Sequence, residues 1–460
     1  MVEGTQASRL ARHLVESIKS IRIGVISQIV WKRGQEDGKD IRKSEERASG
    51  QAPFSGIAPE MKNMPESALQ NADLSGIFSS GQQSILLFAT EWESRHGGLS
   101  TFNRELCLAL ARMGKTVCCA VLQASAEEIK SAGDVRLVAS GDETLLRKLP
   151  LPEGFVPDII IGHGRITGGA AKAQQEDSYR QAKRVHFIHM APGQIEWYKG
   201  KLDAAQQASE REKDELTLME GAQLVAAVGP LLFREASTLI NRLPNDERPL
   251  ICLFNPGFTC LEPSTSPASL HCLLVGRAED EAIKGIDIAA QALQQLDVKR
   301  IPSKPELIVR GAPDGEGTKL QADLTTRFNK ISVRVREYSS EQEEIAGDYR
   351  SAALTLMPSR SEGFGLVALE SLRYGTPVLV SDQSGFAELL GTFLKSYELQ
   401  HYIVETPDDL EQAASNWQEA ILYQLRDIDA AIKRANKLRD ILVEQLSWAK
   451  SCEQLFKELR

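Results

Sequence analysis

At 460 residues, with 42% hydrophobic and 25% charged side chains, the chain has the composition of globular protein and the length for two or three domains. Its net charge is −9, from 54 Lys+Arg against 63 Asp+Glu. With no long basic run, that balance excludes nucleic acid as an expected partner and leaves any anionic ligand to a few local cations. The seven cysteines show no Cys-x-x-Cys or Cys/His ligand spacing, so they read as reduced core residues of a cytoplasmic protein. No apolar run reaches the ~18 residues of a membrane span, and none near the start has the length of a secretory signal.

Residues 1–83 differ in texture from the rest. Leu14, Ile18, Ile21, Val25 and Ile29 recur at helical spacing within 10–30, interrupted only by Gly24. Residues 32–83 are polar, charged and rich in Ser, Gly and Pro, the composition of a flexible linker. The region reads as an extension, with a docking helix for a partner or a membrane surface as the alternative.

From Ser84 strands and helices alternate. Residues 84–89 (SILLFA) form a buried strand, Gly97-Gly98 a turn, and Leu99, Phe102, Leu106, Leu110 and Met113 one face of a helix that Gly114 closes. Further strands are expected at 116–122, 158–162, 184–189, 224–228 and 251–254. Residues 255–267 hold three prolines and read as a hinge. The pattern then restarts, with strands at 270–276, 306–309, 333–337, 353–357, 377–380 and 402–404, and helices beginning near Lys284, Thr318, Glu341, Gly365 and Gly385. From Gln412 the chain is helical in character to its end. Such alternation predicts two parallel, doubly wound sheets in series.

The strongest chemical signal is Pro358-Ser359-Arg360-Ser361-Glu362-Gly363-Phe364-Gly365-Leu366-Val367-Ala368-Leu369-Glu370. It follows a strand and opens a helix, where open parallel sheets bind ligands. Its glycines let backbone approach a ligand, and the Phe364, Gly365 and Leu366 amides at a helix N-terminus suit an anion. A capped core helix accounts for Leu366 and Leu369, but not for Gly-Phe-Gly between two acids.

Glu362 to Glu370 resembles the Glu-x(7)-Glu signature of retaining GT-B glycosyltransferases, family four above all. Tyr374-Gly375-Thr376-Pro377-Val378 and Ser384-Gly385-Phe386-Ala387-Glu388 resemble the strand and sugar-facing loop that follow it. The resemblance covers roughly residues 84–460. It implies a GT-B fold: an extension at 1–83, an N-terminal Rossmann-like acceptor domain at 84–260, a donor-binding Rossmann-like domain at 261–440, and a helix at 441–460 that crosses back to the first. It further implies Glu370 on the donor ribose, Glu362 beside the donor sugar, and the Gly363, Phe364, Gly365 and Leu366 loop on sugar hydroxyls or phosphate. Gly276-Arg277 and Lys284-Gly285 resemble the family's Gly-Arg and Lys-Gly, so Arg277 and Lys284 are implied on the donor diphosphate. Between them runs an acidic insert, Ala278-Glu279-Asp280-Glu281. Gly97 and Gly98 resemble the loop that meets the diphosphate from the first domain. His163 and His189, each ending a strand, resemble residues near the reaction centre, although Ile161 replaces the first His of a His-x-His segment. Leu446-Ser447-Trp448-Ala449-Lys450 resembles the closing helix.

Asp427-Ile428-Asp429 follows no strand, reads as a solvated helix face, and is assigned no metal. The function implied is metal-independent, retaining transfer of a sugar from a nucleotide-diphosphate sugar to an unidentified acceptor, with no further cofactor. Two alternatives stay open: a weakly active or inactive GT-B module that binds a nucleotide sugar or a protein, favoured by Ile161, the short stretch before Asp158 and the tether-like N-terminal extension, and a sugar-nucleotide epimerase.

Overall fold

The computed structural model describes residues 83–93, 98–142, 146–199, 203–261, 267, 270–339 and 341–460. The helix expected over 10–30 and Gly97 lie outside the described residues.

The first sheet has seven strands: β1 (Ser84–Phe88), β2 (Thr116–Val121), β3 (Val135–Ala139), β4 (Ile159–His163), β5 (Lys183–Ile188), β6 (Leu224–Val228) and β7 (Leu250–Phe254). The second has six: β8 (His271–Val275), β9 (Glu306–Ala312), β10 (Ser332–Glu337), β11 (Leu354–Met357), β12 (Val378–Ser381) and β13 (Ile403–Val404). Their orders are β3-β2-β1-β4-β5-β6-β7 and β10-β9-β8-β11-β12-β13, and the paired strands run parallel. The central strands are buried on both faces, as β1 (SILLF) and β4 (IIIGH) show, which is why they read as continuous apolar runs rather than alternating ones. β3 was not expected. It is an edge strand with only Val135 fully buried, in a half-polar VRLVA sequence, so it lacks the apolar run that reveals the inner strands.

Each sheet reverses its strand order once, between β1 and β4 and between β8 and β11. Ligands of open α/β sheets bind outside the carboxyl ends of the strands at such a switch point. His163 ends β4, Gly276-Arg277 follows β8, and the 358–370 motif follows β11.

The helices that frame these ends are α1 (Gly98–Arg112), α2 (Gly164–Asp177), α3 (Ala204–Met219), α4 (Pro230–Ile240), α5 (Ile286–Gln294), α6 (Gln342–Ser351), α7 (Leu366–Arg373) and α8 (Gly385–Phe393). Three more close the chain: α9 (Leu410–Leu425), α10 (Ile428–Gln445) and α11 (Trp448–Glu458). α11 returns to the first sheet and packs on α1 and β7. Ser451 Oγ donates to the Asn255 carbonyl at 2.7 Å, and Lys183 Nζ to the Leu459 carbonyl. Trp448 sits against Gly257, where a Cβ would fall 2.2 Å from the indole Cδ1. The chain is thus an α/β protein of two doubly wound sheets with a terminal helix crossing back, as the sequence predicts. Among the described residues no helix is long and apolar enough to cross a membrane.

Candidate active site

The loop after β11 is held from three sides. Arg360, 9% exposed, donates through both guanidinium nitrogens to Asp287 on α5, at 2.9 and 2.8 Å, and to the Ala282 carbonyl at 2.7 Å. Glu362 pairs backbone with the 383–385 turn: its amide donates to the Gln383 carbonyl and its carbonyl accepts from Gly385, each at 3.2 Å. From the first sheet, the His189 carbonyl presses on Gly363 so closely that a Cβ there would stand 2.1 Å away. Gly365 then turns into α7 with φ 100°, a left-handed conformation natural to glycine. The Phe364 ring, buried against Phe386, crosses to Gly229 at the end of β6, where a Cβ would fall 2.6 Å from its Cδ2. Arg360→Ala leaves the Asp287 carboxylate without its bidentate partner. It is expected to lower stability by about 3–5 kcal/mol, measured by chemical denaturation, with Arg360→Lys intermediate.

Glu362 and Lys284 meet here. Lys284 Nζ donates to Glu362 Oε2 at 2.7 Å, and Ser359 Oγ donates to the same oxygen at 3.3 Å. The lysine stem lies along Gly276. Gly285, at φ 69°, passes so near the Pro358 carbonyl that a Cβ would stand 2.1 Å from it, so the Lys-Gly step brings β8's loop onto β11's. Arg277 is not drawn into this contact; it is largely exposed, with Asp280 at 4.0 Å. The acidic insert is also accounted for. Glu279 accepts from Tyr338 Oη at 3.1 Å, Asp280 faces Arg277, and Glu281 takes two bonds of 2.8 Å from Arg327.

Glu370, one turn into α7, accepts from the hydroxyl of fully buried Tyr349 at 2.8 Å. Burial raises the Glu370 carboxyl above its ordinary pKa, opposed by the Tyr349 bond and by Arg373 and Arg104. The carboxylate borders a cavity of about 60 Å³ shared with Thr101, Glu105 and Trp448. Gly98, first residue of α1, lies against Leu366, first residue of α7; a Cβ there would stand 2.9 Å from Leu366 Cδ1. Two helix N-termini, one from each sheet, therefore meet at Leu366, which lines the same cavity as Glu370.

His163 and His189 are brought together. His163 Nδ1 and His189 Nε2 are 3.0 Å apart, and His163 Nε2 lies 2.9 Å from Asn103 Oδ1. Asn103 is fully buried and turns its amide nitrogen to Cys119 Sγ at 3.3 Å. The tautomers follow from these partners: His163 carries its proton on Nε2 and accepts at Nδ1 from His189 Nε2–H. The His189 ring stands edge-on to Phe102, centroids 4.7 Å apart. Burial pushes His163 down to about 3, with His186 adding to it, and drives His189 well below the ordinary range. Both rings are neutral at neutral pH. His163, 1% exposed, lies behind His189, whose backbone meets the donor-side loop.

Because each folded pKa is below the unfolded value of about 6.5, the unfolded chain binds more protons as pH falls. The pair's contribution is complete above about pH 6.5 and is lost toward about pH 3, at up to about 1.4 kcal/mol per pH unit for His163 alone. Urea denaturation at pH 7 and pH 5 should register that loss; equal stability at the two values would show that the rings are solvated.

Asn103, the Arg360–Asp287 pair and Tyr349 are the site residues that sequence reasoning missed. An Arg beside the first Glu, and an acid just after Lys-Gly, were the available signals for the pair.

Residues 86–455 match the family described as family 4 glycosyltransferase in conflict systems. The chain belongs to this family. It is a glycosyltransferase, and its co-substrate is a nucleotide sugar. The D-inositol 3-phosphate glycosyltransferase of Streptosporangium roseum is 25% identical over 341 residues, covering 63% of this chain and 73% of that protein. Among solved structures, the sucrose-phosphate synthase of Thermosynechococcus elongatus superposes with a TM-score of 0.62 at 20% identity, covering 82% of this glycosyltransferase and 99% of that chain. Anabaena HepE, solved with UDP and glucose, gives 0.58 at 17% identity over 82% and 99%. At these identities the structural likenesses speak for the GT-B fold.

Proposed function

We propose that this glycosyltransferase is a retaining enzyme that works without a divalent metal. The donor diphosphate lies between Lys284 and the paired N-termini of α1 and α7, with Glu370 on the ribose. The observation that carries the reading is the convergence of those two helix ends, from different sheets, beside Lys284, Glu362 and Glu370 at both switch points. Helix N-termini favour anions through their amides and dipole. A lysine adds the charge needed as the leaving diphosphate becomes more negative. Arg277, exposed beside the Lys284 loop, has the freedom to swing onto the same phosphates. The Gly363, Phe364, Gly365 and Leu366 backbone lies between donor sugar and first domain, with Gly98 opposite.

Donor binding must rearrange the cleft. The 60 Å³ beside Glu370 is far below the several hundred Å³ that a ligand of this size fills, and Lys284 is already neutralised by Glu362. Entry therefore requires the two sheets to part, and the diphosphate takes Lys284 from Glu362. The released carboxylate then stands beside the donor sugar. His189 meets the sugar from the first domain on closure, and His163 and Asn103 hold its ring. Retention proceeds by front-face attack without a covalent intermediate, the leaving phosphate taking the acceptor proton. Lys284 and the helix ends fill the electrostatic role that a metal plays in other transferases.

Thermal unfolding of the full chain against UDP-, GDP- and ADP-sugars tests the donor assignment. A true donor at roughly 100 times its dissociation constant adds about 2.7 kcal/mol. A panel in which no nucleotide sugar shifts the transition would overturn it.

A further inference from the structure

A second cavity, of about 280 Å³, lies in the first domain between α3 and α4, roofed by residues 190–194 and Trp197. It adjoins the donor-side loop through Gln194. Ile188 and Met190, which flank His189, both line it. So does Gln194, whose Oε1 accepts from Ser361 Oγ at 3.5 Å, on the donor-side loop next to Glu362. A molecule in this cavity would thus lie beside the His189 backbone and reach, through Gln194, the donor-side loop.

Its lining has a definite chemistry. The floor is small and apolar: Ala205, Ala208, Ala236 and Leu239. Trp197 stands at the rim with 52% of its surface exposed, an indole face offered to solvent. The charged side chains are Glu212, Glu235 and Arg242. Arg242 Nη1 is bound to Glu212 Oε2 at 2.5 Å. Arg234, the cation nearest Glu235 at 3.9 Å, is bound at 2.7 Å to Glu388. Gly193 lets the roof close on Glu212, since a Cβ there would fall 2.6 Å from its Oε1. The lining carries two carboxylates, one guanidinium already engaged, and no lysine.

From this we infer that the cavity is the acceptor site and that it takes an uncharged, hydroxyl-rich ring, a neutral pyranoside, in preference to a phosphorylated one. The inference rests on the glycosyltransferase reading above and narrows its acceptor. A sugar ring has an apolar C–H face for the indole and the alanine floor, and hydroxyls that donate to carboxylates. A phosphate monoester would bring about two negative charges toward Glu212 and Glu235 and would have to break the Glu212–Arg242 pair to gain a cation. The volume, at the small end for ligand sites, suits a sugar rather than a nucleotide.

Ligand-observed saturation-transfer NMR on the full chain tests this with methyl α-D-glucopyranoside, methyl α-D-mannopyranoside, a neutral trisaccharide, and glucose 6-phosphate. The expected result is saturable binding of at least one neutral sugar and at least ten-fold weaker binding of the phosphate. Trp197→Ala should weaken the neutral ligand ten-fold or more with an unchanged melting temperature, because the ring is half exposed. Glu212→Gln should narrow the discrimination by releasing Arg242. Nucleotide affinity, read by calorimetry, should stay within two-fold of wild type in both variants. The assignment is overturned if glucose 6-phosphate binds as well as or better than the neutral sugars, if no neutral sugar binds saturably, or if Trp197→Ala leaves sugar affinity unchanged. Failure of the donor reading would show separately, as absent nucleotide binding with neutral-sugar binding intact.

Discussion

Replacing His189 by alanine should lower kcat by roughly 100- to 1000-fold, the cost of losing one preorganised polar contact at a reaction centre, and leave nucleotide affinity within about two-fold. His189 follows the first sheet's β5 and meets the donor-side loop through its backbone contact with Gly363. Lys284, Glu362 and Glu370 stand on the second sheet's elements. A group reached only on closure acts more on the transition state than on ground-state binding. His163→Ala should be milder, because its ring acts through His189, and the double variant should lose less than the two single losses combined. Asn103 adds a readout that simple packing would not move. Wild-type kcat should be flat from about pH 6 to 8, since burial keeps both rings neutral. Asn103→Asp puts a carboxylate beside His163 Nε2, which raises the imidazole pKa, so kcat should become pH-dependent in that range. A His163→Ala/His189→Ala protein with near-normal turnover would return both rings to a packing role.

Glu370→Ala is expected to weaken nucleotide binding roughly 10- to 150-fold, from the ~1.5–3 kcal/mol of a charged hydrogen bond. The carboxylate is fixed by Tyr349 from behind, at 2.8 Å, which leaves its remaining capacity toward the cleft and the ribose hydroxyls. Tyr349 is itself stacked on Tyr374, centroids 5.6 Å apart and 14° from parallel, so the acid is presented from a rigid base. Tyr349→Phe removes only the bond that orients the carboxylate and should weaken binding by a smaller factor. Calorimetric affinity unchanged in Glu370→Ala would remove Glu370 from the donor site.

The parts of this molecule visible in its sequence are those built from neighbours in the chain. Strands such as IIIGH and LVAAV declare themselves because both faces are buried. The 358–370 loop is legible because Gly-Phe-Gly between two acids, after a strand and before a helix, has few structural uses. What stayed hidden depends on distant pairs. Arg360 and Asp287 lie 73 residues apart, and Tyr349 reaches Glu370 from another helix. Asn103 follows Phe102 on α1 and reads as a flank of its apolar face; only the arrival of β4 turns it into a buried partner of His163. The acidic insert at 279–281 is likewise matched only by residues far along the chain, Tyr338 and Arg327. β3 was lost for a different reason: an edge strand needs only one buried face and so carries half the pattern.

Metal-free transfer with retention is what the wild-type protein should perform. Wild-type protein should be incubated with the nucleotide sugar that stabilises it most, in excess EDTA, with the neutral-sugar panel and without it. The new glycosidic linkage, or the freed sugar in the first minutes, is then read by proton NMR. The prediction is turnover undiminished by EDTA and a product with the donor's own anomeric configuration. An inverted product, activity that disappears in EDTA and returns with Mg²⁺ or Mn²⁺, or tight donor binding without any turnover would contradict it.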